Sequence, residues 1–90
     1  MMNDKQREIL VITQEECAEV IQSISKIFRF GIDNDHKSGS TQREALEKEI
    51  GDLVTMIELL QEHAIVDKDK VTQAIQEKKD KLKIWSNIYK

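Results

Sequence analysis

From Asn3 to Arg29 the chain contains nothing that would interrupt a helix. Its 90 residues include no proline and only three glycines, so the two residue types that most often end or kink helices are nearly missing. Apolar side chains recur at Ile9, Ile12, Val20, Ile24 and Ile27, the three-to-four spacing of a single helix face. The run Ile9-Leu10-Val11-Ile12 is apolar all the way round. That pattern suits a segment that is buried or shared between subunits better than one on the surface of a monomer.

Gly31 supplies the stop for this helix, and the stretch 31–40, with Asp33, Asn34, Asp35, Ser38 and Gly39, has turn chemistry without periodicity and reads as a loop. Thr41 followed three residues later by Glu44 forms a capping box. It opens a second helix with a regular apolar seam at Leu46, Ile50, Leu53, Ile57, Leu60 and Ala64. Asp67 is placed to cap a third helix, whose stripe runs Val71, Ile75, Lys78, Leu82, Trp85 and Tyr89. Lys78 is the odd member of that stripe.

These elements predict an all-α fold: a compact antiparallel helical bundle of three long helices. A short fourth is added if the first helix breaks or the loop after Gly31 holds a turn. Residues 1–90 read as one domain, without repeats or linkers, and a chain this short has a small core. A second copy of the chain is therefore expected to complete the bundle.

Cys17 is the lone cysteine, and neither a signal peptide nor a long uncharged apolar run is present. A cytoplasmic protein that neither crosses nor binds a membrane is expected. The net charge of −3, from 17 acidic and 14 basic residues, argues against a nucleic-acid partner.

Two carboxylate pairs stand out against this background, Glu16 with Glu19 and Glu49 with Asp52. A spacing of three places both members of a pair on one helix face, so two packed helices can aim all four at one point. Ile12, Glu16, Glu19 and Ser23 form one stripe on the first helix, while Glu49 and Asp52 flank the seam of the second. If these four charges were neutralised, 13 acids would face 14 bases, so much of the acidity can belong to a site. Salt bridges to Lys or Arg would explain one such pair. Two pairs on consecutive helices, with a lysine in the apolar stripe of the third, favour a site instead.

Oxygen-only ligands suit a hard cation, Mg2+ or Mn2+. A di-iron centre would need Glu-x-x-His, but Leu60 stands three residues before His63, and His36 lies in the loop. The acidic residues also lack the spacing of a calcium-binding EF-hand loop. Cations held on carboxylates, with lysines nearby, are the equipment for water attack on a phosphate ester or anhydride. Lys78 and Lys81 are the candidate phosphate contacts, with salt bridging to the same carboxylates as the alternative. Cys17, without a nearby histidine, reads as a packing residue.

Glu15-Glu16-Cys17-Ala18-Glu19 followed by Glu49-Ile50-Gly51-Asp52 resembles the EExxE and ExxD motifs of the MazG-like all-α nucleoside triphosphate pyrophosphohydrolases. The likeness extends to the turn Phe28-Arg29-Phe30-Gly31 and to Glu77-Lys78-x-x-Lys81, and it covers nearly the whole chain. The resemblance implies Mg2+-dependent hydrolysis of a nucleoside triphosphate to the monophosphate and pyrophosphate. It further implies Glu16, Glu19, Glu49 and Asp52 as metal ligands and Lys78 and Lys81 near the phosphates. Glu15 is the candidate base or outer partner for the attacking water, although an ideal helix turns it about 100° from Glu16.

Lys26 and Arg29 can reach the triphosphate or a neighbouring subunit. Asn87, Trp85 and Tyr89 can contact a base, with core packing as the plainer role for Trp85. A homodimer or homotetramer is expected. Two other readings stay open: a phosphoribosyl-ATP pyrophosphohydrolase, and a non-catalytic helical oligomerisation module.

Overall fold

A computed structural model describes residues 1–33 and 39–90. It has three helices and, among the described residues, no strand: α1 (Asp4–Phe30), α2 (Gln42–Glu62) and α3 (Lys68–Trp85). The helical bundle expected from the periodicity is what forms. Most of the turn-rich stretch after Gly31 falls at 34–38, outside the described residues, and with it fall His36 and any short turn there.

Local chemistry sets each helix end. Asn3 accepts from the Gln6 backbone at 2.8 Å and Gln6 returns the bond to Asn3 at 3.0 Å, a capping box that the periodicity had not flagged. At the other end Gly31 takes φ +90° and donates to the Ile27 carbonyl at 2.8 Å. Thr41 and Glu44 cap α2 reciprocally, and Asp67 accepts from the backbone of Asp69 and Lys70 at the start of α3.

The end of α2 differs from the expected seam. The helix stops at Glu62, so Ala64 does not continue the apolar stripe. It adopts a left-handed conformation with φ 57°, which lets Ile65 donate to Leu60 at 2.9 Å and Ala64 to Gln61 at 3.1 Å. This is the Schellman arrangement, with alanine where glycine is usual.

α1 and α2 pack along their length as an antiparallel hairpin. The Gln6 amide ties the start of α1 to the His63 carbonyl at 2.9 Å. At the opposite end Arg43 donates its backbone N–H to Ile32 at 2.8 Å and pairs through two nitrogens with Asp33, at 3.0 and 3.2 Å. The most buried side chains are Ile9 and Ser23 on α1, and Gln42 and Met56 on α2. With half-buried Glu16 and Glu49 they form two heptad ladders, 9-16-23 and 42-49-56. Run antiparallel, the ladders give three levels: Ile9 with Met56, Glu16 with Glu49, and Ser23 with Gln42. Of these three levels only the first is apolar.

The expected α1 face stays at the seam, with Ile9 buried and Ile12, Val20 and Ile27 half-buried, while a second set of apolar residues on α1 and the expected stripe of α2 lie to one side. Leu10, Cys17, Ile21, Ile24 and Phe28 sit about 100° round α1 from its ladder, and Leu46, Ile50, Leu53, Val54 and Ile57 about as far round α2, in the same rotational sense. Because the helices run in opposite directions, both stripes emerge on one side of the hairpin. That face is open within the chain: Ile21 is 67 % and Phe28 86 % exposed, and Cys17, expected to pack, is exposed as well.

α3 makes at most marginal contact with the hairpin. Its stripe, expected to be core, is uncovered for that reason, with Trp85 82 % exposed and Ile75 and Tyr89 about half. The radius of gyration is 16.0 Å, against about 12 Å for a self-contained globule of this length. No helix among the described residues is long and apolar enough to cross a membrane.

Ala64→Gly tests the helix end. Relieving the left-handed alanine should raise unfolding stability by about 0.5–1 kcal/mol in urea titrations. A loss of stability would show that the Ala64 methyl contributes more than its backbone strain removes.

Candidate metal centre

The carboxylate level is the middle rung of the seam. Steps of seven keep Glu16 in line with Ile9 and Glu49 in line with Met56, so the helical repeat that packs the apolar level also turns both carboxylates inward. Asp52 follows Glu49 by three residues and shares its face. One oxygen from each of Glu16, Glu49 and Asp52 can be chosen so that all three lie within 4.8 Å of one another. All three residues are half-buried.

The electrostatics show the crowding. The Glu16 carboxyl is held above its ordinary value of 4.5, first by partial burial, then by the negative charges of Asp52, Glu49 and Glu19. Lys48 opposes these: its ammonium lies 2.9 Å from Asp52 and 3.8 Å from Glu49. These carboxylates in turn push the Lys48 pKa up, the hydrogen bond that Lys48 donates to Asp52 most of all. Lys48 had not been singled out, although its spacing of four from Asp52 was visible. Its side chain is 71 % exposed, and an exposed lysine only partly balances three converging carboxylates.

Glu19 stands at the edge of this centre. It is exposed and outside the converging trio, yet its charge reaches Glu16. It lines a cleft of about 50 Å3 together with Gln22, Ser23, Lys26, Ala45 and Glu49. Half-buried Lys26 is thereby brought beside the carboxylates.

The remaining candidates are not brought there within one chain. Glu15 is exposed on α1. Lys78 and Lys81 are exposed on α3, which does not pack on the hairpin. Asn87 is exposed in the turn beyond the Ser86 cap, where its carbonyl accepts from Lys90 at 3.2 Å. Arg29 lies over the neighbouring Phe30 ring, 4.9 Å from its centroid.

Oxygen donors from two helices, clustered at a half-buried level and short of positive charge, fit a hard divalent cation. The sequence profile of the MazG nucleotide pyrophosphohydrolase domain matches residues 5–83. The chain belongs to this family. Comparisons with curated proteins and with solved structures give no match. The matched region reaches into all three helices of this MazG domain and contains both acidic motifs.

The raised Glu16 carboxyl has a consequence for stability. An acid whose folded pKa exceeds its unfolded one favours the fold when protonated. That contribution is present below about 4.5 and is lost as pH rises through the elevated folded value. Asp33 works in the opposite sense in a separate window: the hydrogen bond from Arg43 depresses it below 3.8, so its support is lost only as pH falls through that lower value. In chelator, the melting temperature of the wild type should therefore drop from pH 4.5 upward relative to Glu16→Gln, which cannot ionise. Parallel melting curves for the two proteins across that range would contradict the crowding.

Proposed function

We propose that this chain is a divalent-metal-dependent nucleotide pyrophosphohydrolase that cleaves a (d)NTP between its α and β phosphates, releasing the monophosphate and pyrophosphate. The observation that carries this reading is the approach of Glu16, Glu49 and Asp52 oxygens to within 4.8 Å, at a level where a helical hairpin would ordinarily be apolar. Membership of the MazG family supports the same chemistry.

In this reading Glu16, Glu49 and Asp52 hold Mg2+, or Mn2+ in its place, and Glu19 completes the ligand set from the cleft side. When bound, the ion supplies charge neutralisation at the phosphates and acidifies the attacking water. The water oxygen bonds to a phosphorus of the α–β anhydride, the bridging P–O bond breaks as pyrophosphate leaves, and Glu15, exposed on α1 outside the carboxylate level, takes the proton through an intervening water. Lys26, in the cleft, binds phosphate oxygens.

Lys78, Lys81 and Asn87 belong to the substrate site if α3 folds against a hairpin, its own or a neighbour's. The open apolar face favours the neighbour, and with it a homodimer or homotetramer. Burying Leu10, Ile21, Ile24 and Phe28 against a second hairpin would add apolar burial to a chain whose own seam has one apolar level, Ile9 with Met56.

Pyrophosphate release from a nucleotide panel, with and without Mg2+, tests the activity. Glu49→Gln and Asp52→Asn should each lower kcat/KM by roughly 100-fold or more. Hydrolysis indifferent to both changes would remove the site assignment. Turnover of phosphoribosyl-ATP alone would reassign the substrate, and an inactive protein whose melting temperature ignores divalent ions would be a helical oligomerisation module.

Sedimentation tests the assembly. The wild type should run as a dimer or larger, and Ile21→Glu should shift it toward monomer while leaving helical content intact. A monomeric wild type would refute the assembly.

A further inference from the structure

Three hydroxyls on or at the end of the helices bond back to their own helix. Thr13 donates to the Ile9 carbonyl at 2.7 Å, Thr55 to Gly51 at 2.9 Å and Ser86 to Leu82 at 2.7 Å, each reaching back four residues. Ser23 is more buried than any of these, only 6 % exposed, and its Oγ has no hydrogen-bond partner among the described residues. Gln42 Oε1, at the same level of the seam, is also buried and unpartnered.

Leaving a buried polar atom unpaired is unfavourable, and two at one level call for an explanation. Ser23 shares its cleft with Glu19 and Glu49. Helical side chains lean toward their own N-terminus, which tilts Glu49 from its own rung toward the Ser23 level.

We propose that the Ser23 hydroxyl is a positioning residue for the metal centre, donating to the Glu49 carboxylate once that carboxylate is drawn onto a divalent ion. This rests on the functional reading above. Glu49 offers one oxygen to the converging trio, and its second oxygen then needs a donor to hold the carboxylate in the ligating orientation. Ser23 is the hydroxyl of the cleft they share, and it is free to supply one. Outer partners of this kind hold metal ligands in place and their loss weakens metal affinity.

The proposal separates metal affinity from stability. In metal-free protein Ser23 makes no bond, so Ser23→Ala should leave the melting temperature in chelator unchanged or slightly higher. Mn2+ affinity, followed by electron paramagnetic resonance or calorimetry, should fall about tenfold. Ser23→Thr keeps the hydroxyl, and the cleft of about 50 Å3 leaves room for its methyl. It should retain Mn2+ affinity within about threefold and so serves as the rescue.

Unchanged Mn2+ affinity in Ser23→Ala overturns the proposal. So does a loss of affinity matched by an equal loss in Ser23→Thr, or one accompanied by a lower melting temperature in chelator, either of which marks a packing role. A wild type that binds no Mn2+ fails the functional reading itself, an outcome distinct from a metal-binding wild type in which Ser23 has no effect.

Discussion

Mutual repulsion among Glu16, Glu49 and Asp52 is the constraint around which this small structure is arranged. Two helices are zipped together by a seven-residue repeat, and the middle rung of the zipper is a meeting of carboxylates. An apolar pair there would have been the favourable choice for folding. The chain instead keeps three negative groups half-buried, with one exposed lysine against two of them. Stability is therefore supplied away from the middle of the seam, by the Ile9 and Met56 level and the ties at both hairpin ends.

That arrangement accounts for the position of the apolar residues. In a hairpin sealed by its own hydrophobic seam, Leu46, Ile50, Leu53 and Ile57 would face α1. Here the polar ladder takes that orientation, and the apolar stripes are turned about a quarter of a revolution to one shared side. One face of the hairpin carries the chemistry and the adjoining face carries the unsatisfied hydrophobic area. α3, polar over most of its surface and scarcely touching the hairpin, does not cover that area within the chain.

Much of this was legible in the sequence, and the misses share a cause. Helix existence, the Gly31 stop, the Thr41–Glu44 box and the Asp67 cap depend on interactions within a few residues, which local reading resolves. The approach of Glu49 and Asp52 to Glu16 follows the face that an i, i+3 pair shares, whereas Glu19, expected to meet them, stays exposed at the edge. Which of two adjacent faces of α2 meets α1 was not legible. Leu46 to Ala64 forms so regular a seam that it reads as the core, whereas the face in use is 42-49-56, carrying a glutamine, a glutamate and a methionine. Ala64 misled for a related reason: its spacing fits the stripe, while its backbone conformation is set by the hydrogen bonds that close the helix. The separation of α3 had no local signal at all, since periodicity reports which side of a helix is apolar and nothing about what covers it.

Lys48 shows how the metal-free chain tolerates such a seam. An ammonium one helical turn from Asp52 and next to Glu49 is a counter-ion available without any partner or ligand. Being on the same helix, it costs little chain entropy to recruit, and being exposed it binds only loosely. A deeply buried arginine in its place would hold the carboxylates more firmly and would also compete with a divalent ion for the same oxygens. A weak resident cation, a carboxyl on Glu16 already biased toward protonation, and a hydroxyl on Ser23 with nothing to bond all describe one condition. The hairpin is folded around a site whose charge is incompletely balanced by the protein itself, and the ion that balances it would improve both the fold and the chemistry.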